Sequence, residues 1–240
     1  MHEDHLIVCL QTQFQLNTFR CLGSRFIGID ATHNTTIYPD MMLYTIIAQN
    51  EWRHGASVAE APLLGADRLQ TLFSPYSATG VPVAWMISLS MRKETVGFFL
   101  TWVKDGSPDV WPSIIMSDQD QAQLAAIWDV YPHSQVFLCT WHVLHAMRRH
   151  FVTSAFKLLW EKIQIWVKTS DPAEFSKIWE EISTDPQVPS SLIQYLKTEW
   201  LHVSEMWSNV SRKNRHIFEE GDTNMLIEAY VILSFDLKFD

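Results

Sequence analysis

A chain of 240 residues with 47% hydrophobic content has enough apolar material for one large domain, or for a domain with an insertion. Its formal charge of -9 argues against a surface that grips polyanions over its whole extent. No apolar run approaches the roughly 20 residues of a bilayer span, and Glu3 and Asp4 stand where a signal peptide needs a basic start, so membrane partners and secretion are not expected.

In chain order, Leu10, Phe14 and Phe19 recur at helical intervals before Gly23, which predicts a helix from about Leu10 to Cys21 within a leading helical segment, residues 1–24. Arg25 to Ile37 is rich in Ile and Thr, Pro39 and Asp40 make a turn, and Met41 to Gln49 is apolar again, so a strand pair follows. Ala56 to Gly80, punctuated by Pro62, Gly65, Pro75 and Gly80, reads as an inserted loop, longer than the ordinary limit of about 15 residues. Val81 to Leu89 is a third strand, and Glu94 to Val103 sets Val96, Phe99, Leu100 and Val103 on one helical face. Ser113 to Met116 is a short buried strand, Gln121 to Asp129 a helix, and Gln135 to Cys139 another strand. Alternating strands and helices over 25–142 predict an α/β sheet covered on both faces.

From Trp141 to His216 the pattern is helical, broken at Asp171-Pro172 and around Pro186 and Pro189, which predicts an all-helical insertion over 143–221. The five tryptophans along it, Trp160, Trp166, Trp179, Trp200 and Trp207, read as core. A last helix starts near Asp222 or Thr223 and carries Glu228, within a final segment 222–240.

The polar residues that surface placement explains least are two aspartates. Asp30 sits inside the apolar run FIGID, and a buried carboxylate costs several kcal/mol unless it is paired or metal-bound, so a partner is expected. Asp118 follows IIMS at the C-terminal end of its strand, where open α/β sheets place ligands. Asp120, two residues later, reads as the cap of the next helix. Glu228 facing the sheet would complete three hard oxygen ligands for Mg²⁺ or Mn²⁺, with two ions expected. Cys139 and His142 have CxxH spacing, which is half a zinc site; a buried thiol and a partly buried imidazole between strand and helix is the preferred reading, and zinc is not expected. Three scattered cysteines, Cys9, Cys21 and Cys139, do not make a disulfide framework and favour a reducing compartment.

FIGIDATHNTT around Asp30, PSIIMSDQDQAQLAAIWDVYP around Asp118, the following FLCTWHV and TNMLIEAY around Glu228 together resemble the Mutator-like element (MULE) transposases over most of the chain. The resemblance implies a ribonuclease H-like mixed sheet flanked by helices, with an all-helical insertion before the last catalytic helix. It also implies a DDE triad of Asp30, Asp118 and Glu228 that binds the two metal ions, with Cys139 and His142 as the family's CxxH element, structural or end-interacting. The implied reaction is cut-and-paste DNA transposition: cleavage at the ends of a transposable element, then attack of the freed 3′-hydroxyl on target DNA. Departures are the stretch Ala56 to Gly80, and Tyr230 followed by Val231 and an acidic end where the family shows an aromatic, a His and a basic helix. They keep open a decayed or domesticated domain acting as a non-catalytic DNA-associated or protein-interaction module. An unrelated metal-dependent nuclease would share the acids but neither the CxxH element nor the helical insertion.

The implied partners are terminal-repeat and target DNA, with a homo-oligomer open. Residues 139–217 hold 10 Lys and Arg against 8 Asp and Glu, while residues 218–240 hold 1 against 6, so most DNA affinity is expected from a separate module. A nuclear location follows from the resemblance, although Arg148-Arg149 and Arg212-Lys213 are too short for an import signal.

Overall fold

The computed structural model describes residues 6–33, 40–48, 81–150 and 156–212. The expected loop 56–80 and the final segment 222–240 with Glu228 lie outside the described residues.

Six described strands form one mixed open sheet: β1 (Ile7–Leu10), β2 (Phe26–His33), β3 (Met42–Ala48), β4 (Val81–Ser88), β5 (Ile114–Ser117) and β6 (Gln135–Leu138), in the order β1-β4-β3-β2-β5-β6. Pairing is antiparallel from β1 through β4 and β3 to β2, then parallel from β2 to β5 and β5 to β6. The two parallel strands are each reached through a helix, α2 (Lys93–Gly106) before β5 and α3 (Gln121–Val130) before β6. Crossover helices of this kind are what parallel pairing requires. Helix α1 (Gln13–Leu22) begins with a capping box, Thr12 accepting from the Gln15 N–H while the Gln15 side chain accepts from the Thr12 N–H.

The leading segment is not helical throughout. Ile7–Leu10 is an edge strand on β4, and α1 starts only after it, at Gln13. Ile7 and Cys9 are the more buried pair and Val8 and Leu10 the exposed pair. All four residues are apolar, so this two-residue alternation has no counterpart in the pattern of residue types.

Alternate residues of the central strands serve two cores. Ile27 and Ile29 of β2, Ile115 of β5, and Val136 and Leu138 of β6 face a large core shared with α1, α2 and α3. Phe26, Ile114, Met116, Phe137 and Cys139 make a smaller cluster on the opposite face. Chain parity assigns Asp30 and Asp118 to this second face.

The second half of the described chain is helical. Helix α4 (Thr140–Arg148) leaves the end of β6, followed by α5 (Lys157–Lys168) and α6 (Pro172–Thr184), the latter capped by Asp171 with Pro172 in its first turn. Helix α7 (Ser190–Tyr195) runs through a π turn at Leu196–Trp200 and a 3₁₀ turn at Leu201–Val203 into the short helices α8 (Ser204–Trp207) and α9 (Asn209–Arg212). Trp166, Trp200 and Trp207 are fully buried, and Trp166 packs its ring 5.2 Å from Phe175, 5.2 Å from Trp179 and 5.0 Å from Trp207. The Trp207 indole N–H donates to the Trp200 carbonyl at 2.9 Å. Among the described residues no helix is long and apolar enough to cross a membrane.

Trp166 is the centre of this aromatic group, so Trp166→Ala leaves a large cavity among fixed rings. The expected loss is about 3–5 kcal/mol, read as a lower urea midpoint. A change under about 1 kcal/mol would mean that the rings collapse to fill the space.

Candidate functional site

The last parallel pairs between β2 and β5 are Ile27 with Ile115 and Gly28 with Met116. Continued two residues, that register sets Asp30 level with Asp118 on the same face. Beneath them lie Phe26, Ile114 and Met116 of the smaller apolar cluster. The sheet thus carries the two acids just past the point where its apolar packing ends.

Asp30 is only 6% exposed. Burial, reinforced by the negative charge of Asp118, pushes its carboxyl well above the ordinary range, to about 6. Contacts with Thr32, the charge of His33 and the Ala31 N–H offset part of that rise. The Thr32 hydroxyl lies at the edge of hydrogen-bond reach, 3.5 Å from Oδ2. His142, in the first turn of α4, places Nε2 3.8 Å from Asp30 Oδ1, within ion-pair range when the imidazole is protonated and too far for a hydrogen bond.

Asp118 is also shifted upward, chiefly by burial. The Asp120 N–H and the charge of His142 oppose the shift, while the Asp120 carboxylate adds to it. Its Oδ1 accepts from the Asp120 N–H at 3.2 Å and from Gln123 Nε2 at 3.0 Å. Gln123 is buried, and the same amide donates to the Ser117 hydroxyl at 2.7 Å, so one side chain holds the strand end and the acid together. Asp120 is the cap of α3, accepting from the Gln123 N–H at 2.7 Å. Tyr44, in β3, has its phenol pushed upward by burial and then by Asp120 and Asp118, and stays protonated.

The corner between β6 and α4 sets the imidazole. The Cys139 N–H donates to the Ser117 carbonyl at 2.8 Å, and the helix starts one residue later. Arg212 of α9, itself buried, donates to the Leu138 carbonyl and, at 2.9 Å, to the Thr140 hydroxyl, with its guanidinium 5.4 Å from the Phe137 ring. The helical half also reaches the Asp118 loop, where Gln119 Nε2 donates to the Glu199 carbonyl at 3.4 Å.

Of the residues singled out from the sequence, Asp30 and Asp118 come together, and Glu228 lies outside the described residues. Cys139 and His142 part company: Cys139 joins the apolar cluster, and His142 stands beside Asp30. That proximity, the clamp by Gln123 and the tie by Arg212 were not read from the sequence. A helix opening directly after a strand end was the available signal for His142, since its first turn must overhang that end.

Two carboxylates, Asp30 buried and Asp118 half-buried, both raised by loss of hydration, suit a hard divalent cation, which would restore the ionised form. Among the described residues no group of three or more His, Cys, Asp or Glu side chains is gathered to hold a metal. Asp30 and Asp118 would supply two of the protein oxygens, and further ligands would come from another part of the chain or from water.

Compared with known proteins, the chain matches no family model and no curated sequence.

Because Asp30 holds its proton more tightly folded than unfolded, the folded state binds more protons between about pH 4 and pH 6, and stability falls as pH rises through that window. The loss is at most about 3 kcal/mol. Asp30→Asn is neutral at every pH, so it should flatten this slope and raise the urea midpoint at pH 7. An unchanged slope in the variant would show that Asp30 is not the buried acid responsible.

Proposed function

We propose that this chain carries the catalytic domain of a DDE-type DNA transposase with a ribonuclease H-like fold, performing metal-dependent strand cleavage and strand transfer. The observation that supports it most is the pairing of buried Asp30 in β2 with half-buried Asp118 just past the end of the neighbouring parallel strand β5, each with its proton affinity raised by loss of hydration. The mixed sheet flanked by helices is compatible with that fold, and the helical region after β6 with the expected insertion.

In this reading Asp30 and Asp118 bind Mg²⁺ or Mn²⁺, and Glu228 is the third acid. Bound there, divalent ions supply Lewis acidity toward a phosphodiester. Gln123 and the Asp120 N–H orient Asp118 by fixing Oδ1. His142 offsets negative charge beside Asp30 and limits the directions its carboxylate can take. The buried apolar cluster below keeps the acids from retreating into the sheet. DNA carrying terminal repeats is the substrate and a nuclear location the corresponding setting.

The test is cleavage and joining of DNA with candidate terminal repeats, with and without Mg²⁺ or Mn²⁺. Asp30→Asn and Asp118→Asn should each reduce the rate at least about a thousandfold, a loss of about 4 kcal/mol of transition-state stabilisation, and Glu228→Gln should do likewise. Metal should raise the melting temperature of the wild type and not of the two Asp variants. Activity surviving either Asp substitution would overturn the assignment. An intact chain that binds DNA without cutting it would favour the non-catalytic module.

A further inference from the structure

Helix α4 is the element that brings His142 to the acids, and its outer face has a pattern that the two-acid site does not use. Trp141, His145, Arg148 and Arg149 are all exposed. At offsets of four and seven residues, Trp141, His145 and Arg148 form one ridge, spanning about 10 Å at the helical rise. The Trp141 indole is 40% exposed. It stacks on the His145 ring at 4.8 Å with only 11° between planes, and meets His142 edge to face at 4.9 Å. The buried Trp166, Trp200 and Trp207 are core residues, whereas Trp141 is a flat surface left open to solvent beside Asp30's imidazole neighbour.

An exposed aromatic followed by cations is a combination that suits single-stranded nucleic acid: stacking takes any base, and guanidinium takes phosphate. Among the described residues Arg148 and Arg149 make no ion pair, so their charge is not spent on a neighbouring carboxylate. They lie in a chain of net charge -9, which makes the ridge a local exception.

We infer that the α4 ridge seats the unpaired nucleotides that flank the reacting phosphodiester, one base stacking on the Trp141 and His145 pair and the adjoining phosphates meeting Arg148 and Arg149. This rests on the DNA strand-transfer reading and adds to it a substrate form: DNA opened or frayed next to the site, rather than an intact duplex.

The test compares binding of a labelled duplex with and without a short single-stranded tail by fluorescence anisotropy, in EDTA so that no cleavage occurs, using the full chain. Wild type should prefer the tailed DNA. Trp141→Ala should weaken tailed binding about tenfold and leave blunt binding unchanged, while Trp141→Phe stays within about threefold of wild type. Replacing Arg148 and Arg149 by Ala should weaken both and lower the salt dependence by roughly one to two ions released. All these side chains are exposed, so the folds of the variants should be intact, which circular dichroism checks. Equal binding of tailed DNA by wild type and Trp141→Ala overturns the inference, as does a wild type blind to the tail. Cleavage measured in parallel separates the two ideas. A chain that cuts DNA with metal yet ignores Trp141 sinks the ridge alone. One that stacks the tail through Trp141 without cutting upholds the ridge and overturns strand transfer, and one that does neither sinks both.

Discussion

Two carboxylates brought together, one buried and one half-buried, repel each other and lose hydration, and the end of the sheet is arranged around that cost. Neither Asp30 nor Asp118 has a guanidinium or ammonium partner among the described ion pairs. What surrounds them is weaker: a backbone N–H and one amide on Asp118, a hydroxyl at 3.5 Å and an imidazole at 3.8 Å on Asp30. A permanent cation in either place would have neutralised the pair. Partial compensation keeps the acids in position while leaving their affinity for positive charge unspent.

Holding them there is the work of the parallel half of the sheet. β5 is four residues long and buried on both faces, so its register against β2 is set by packing above and below it. A slip of one residue would turn Asp118 and Met116 together toward the large core and take Ile115 out of it, which is why a short strand can fix an acid so firmly. The helical half contributes at the next strand. Arg212 binds the Leu138 carbonyl and the Thr140 hydroxyl, so the last described helix is tied to the corner from which His142 projects. Distant stretches of chain are thereby coupled to one site without entering it.

Much of this was legible in the residues, and the failures have identifiable causes. The strands from Phe26 to Leu138 and the helices between them follow their apolar patterns, the Asp120 cap stands where helix chemistry puts it, and the break read at Asp171-Pro172 is the start of a helix. The edge strand Ile7–Leu10 was hidden because IVCL is apolar at every position, and only pairing with β4 decides its conformation. The oddity of a charge within FIGID was readable as a demand for a partner, but which partner was not. His142 is 112 positions away, and its arrival at 3.8 Å depends on a single residue, Cys139, separating the end of β6 from the start of α4. Gln123 and Arg212 were invisible for the same reason: a buried amide or guanidinium looks like an ordinary helix-surface residue until its acceptors, which are strand-end groups, are in place.

The charge distribution then constrains the order in which such a site can be filled. A phosphodiester approaching two ionised carboxylates meets repulsion that the low-dielectric surroundings strengthen rather than screen. Protonation relieves it for Asp30 only below about pH 6, where the carboxyl ceases to be a ligand at all. A divalent cation relieves it at neutral pH and converts the same two groups from a barrier into an anchor for phosphate oxygens. On the proposed reading, cation binding therefore precedes productive contact with DNA. The surface beside the acids must meanwhile hold the polyanion by means other than the acids. On that reading the outer face of α4 supplies them, with an open indole and two guanidinium groups that make no ion pair among the described residues.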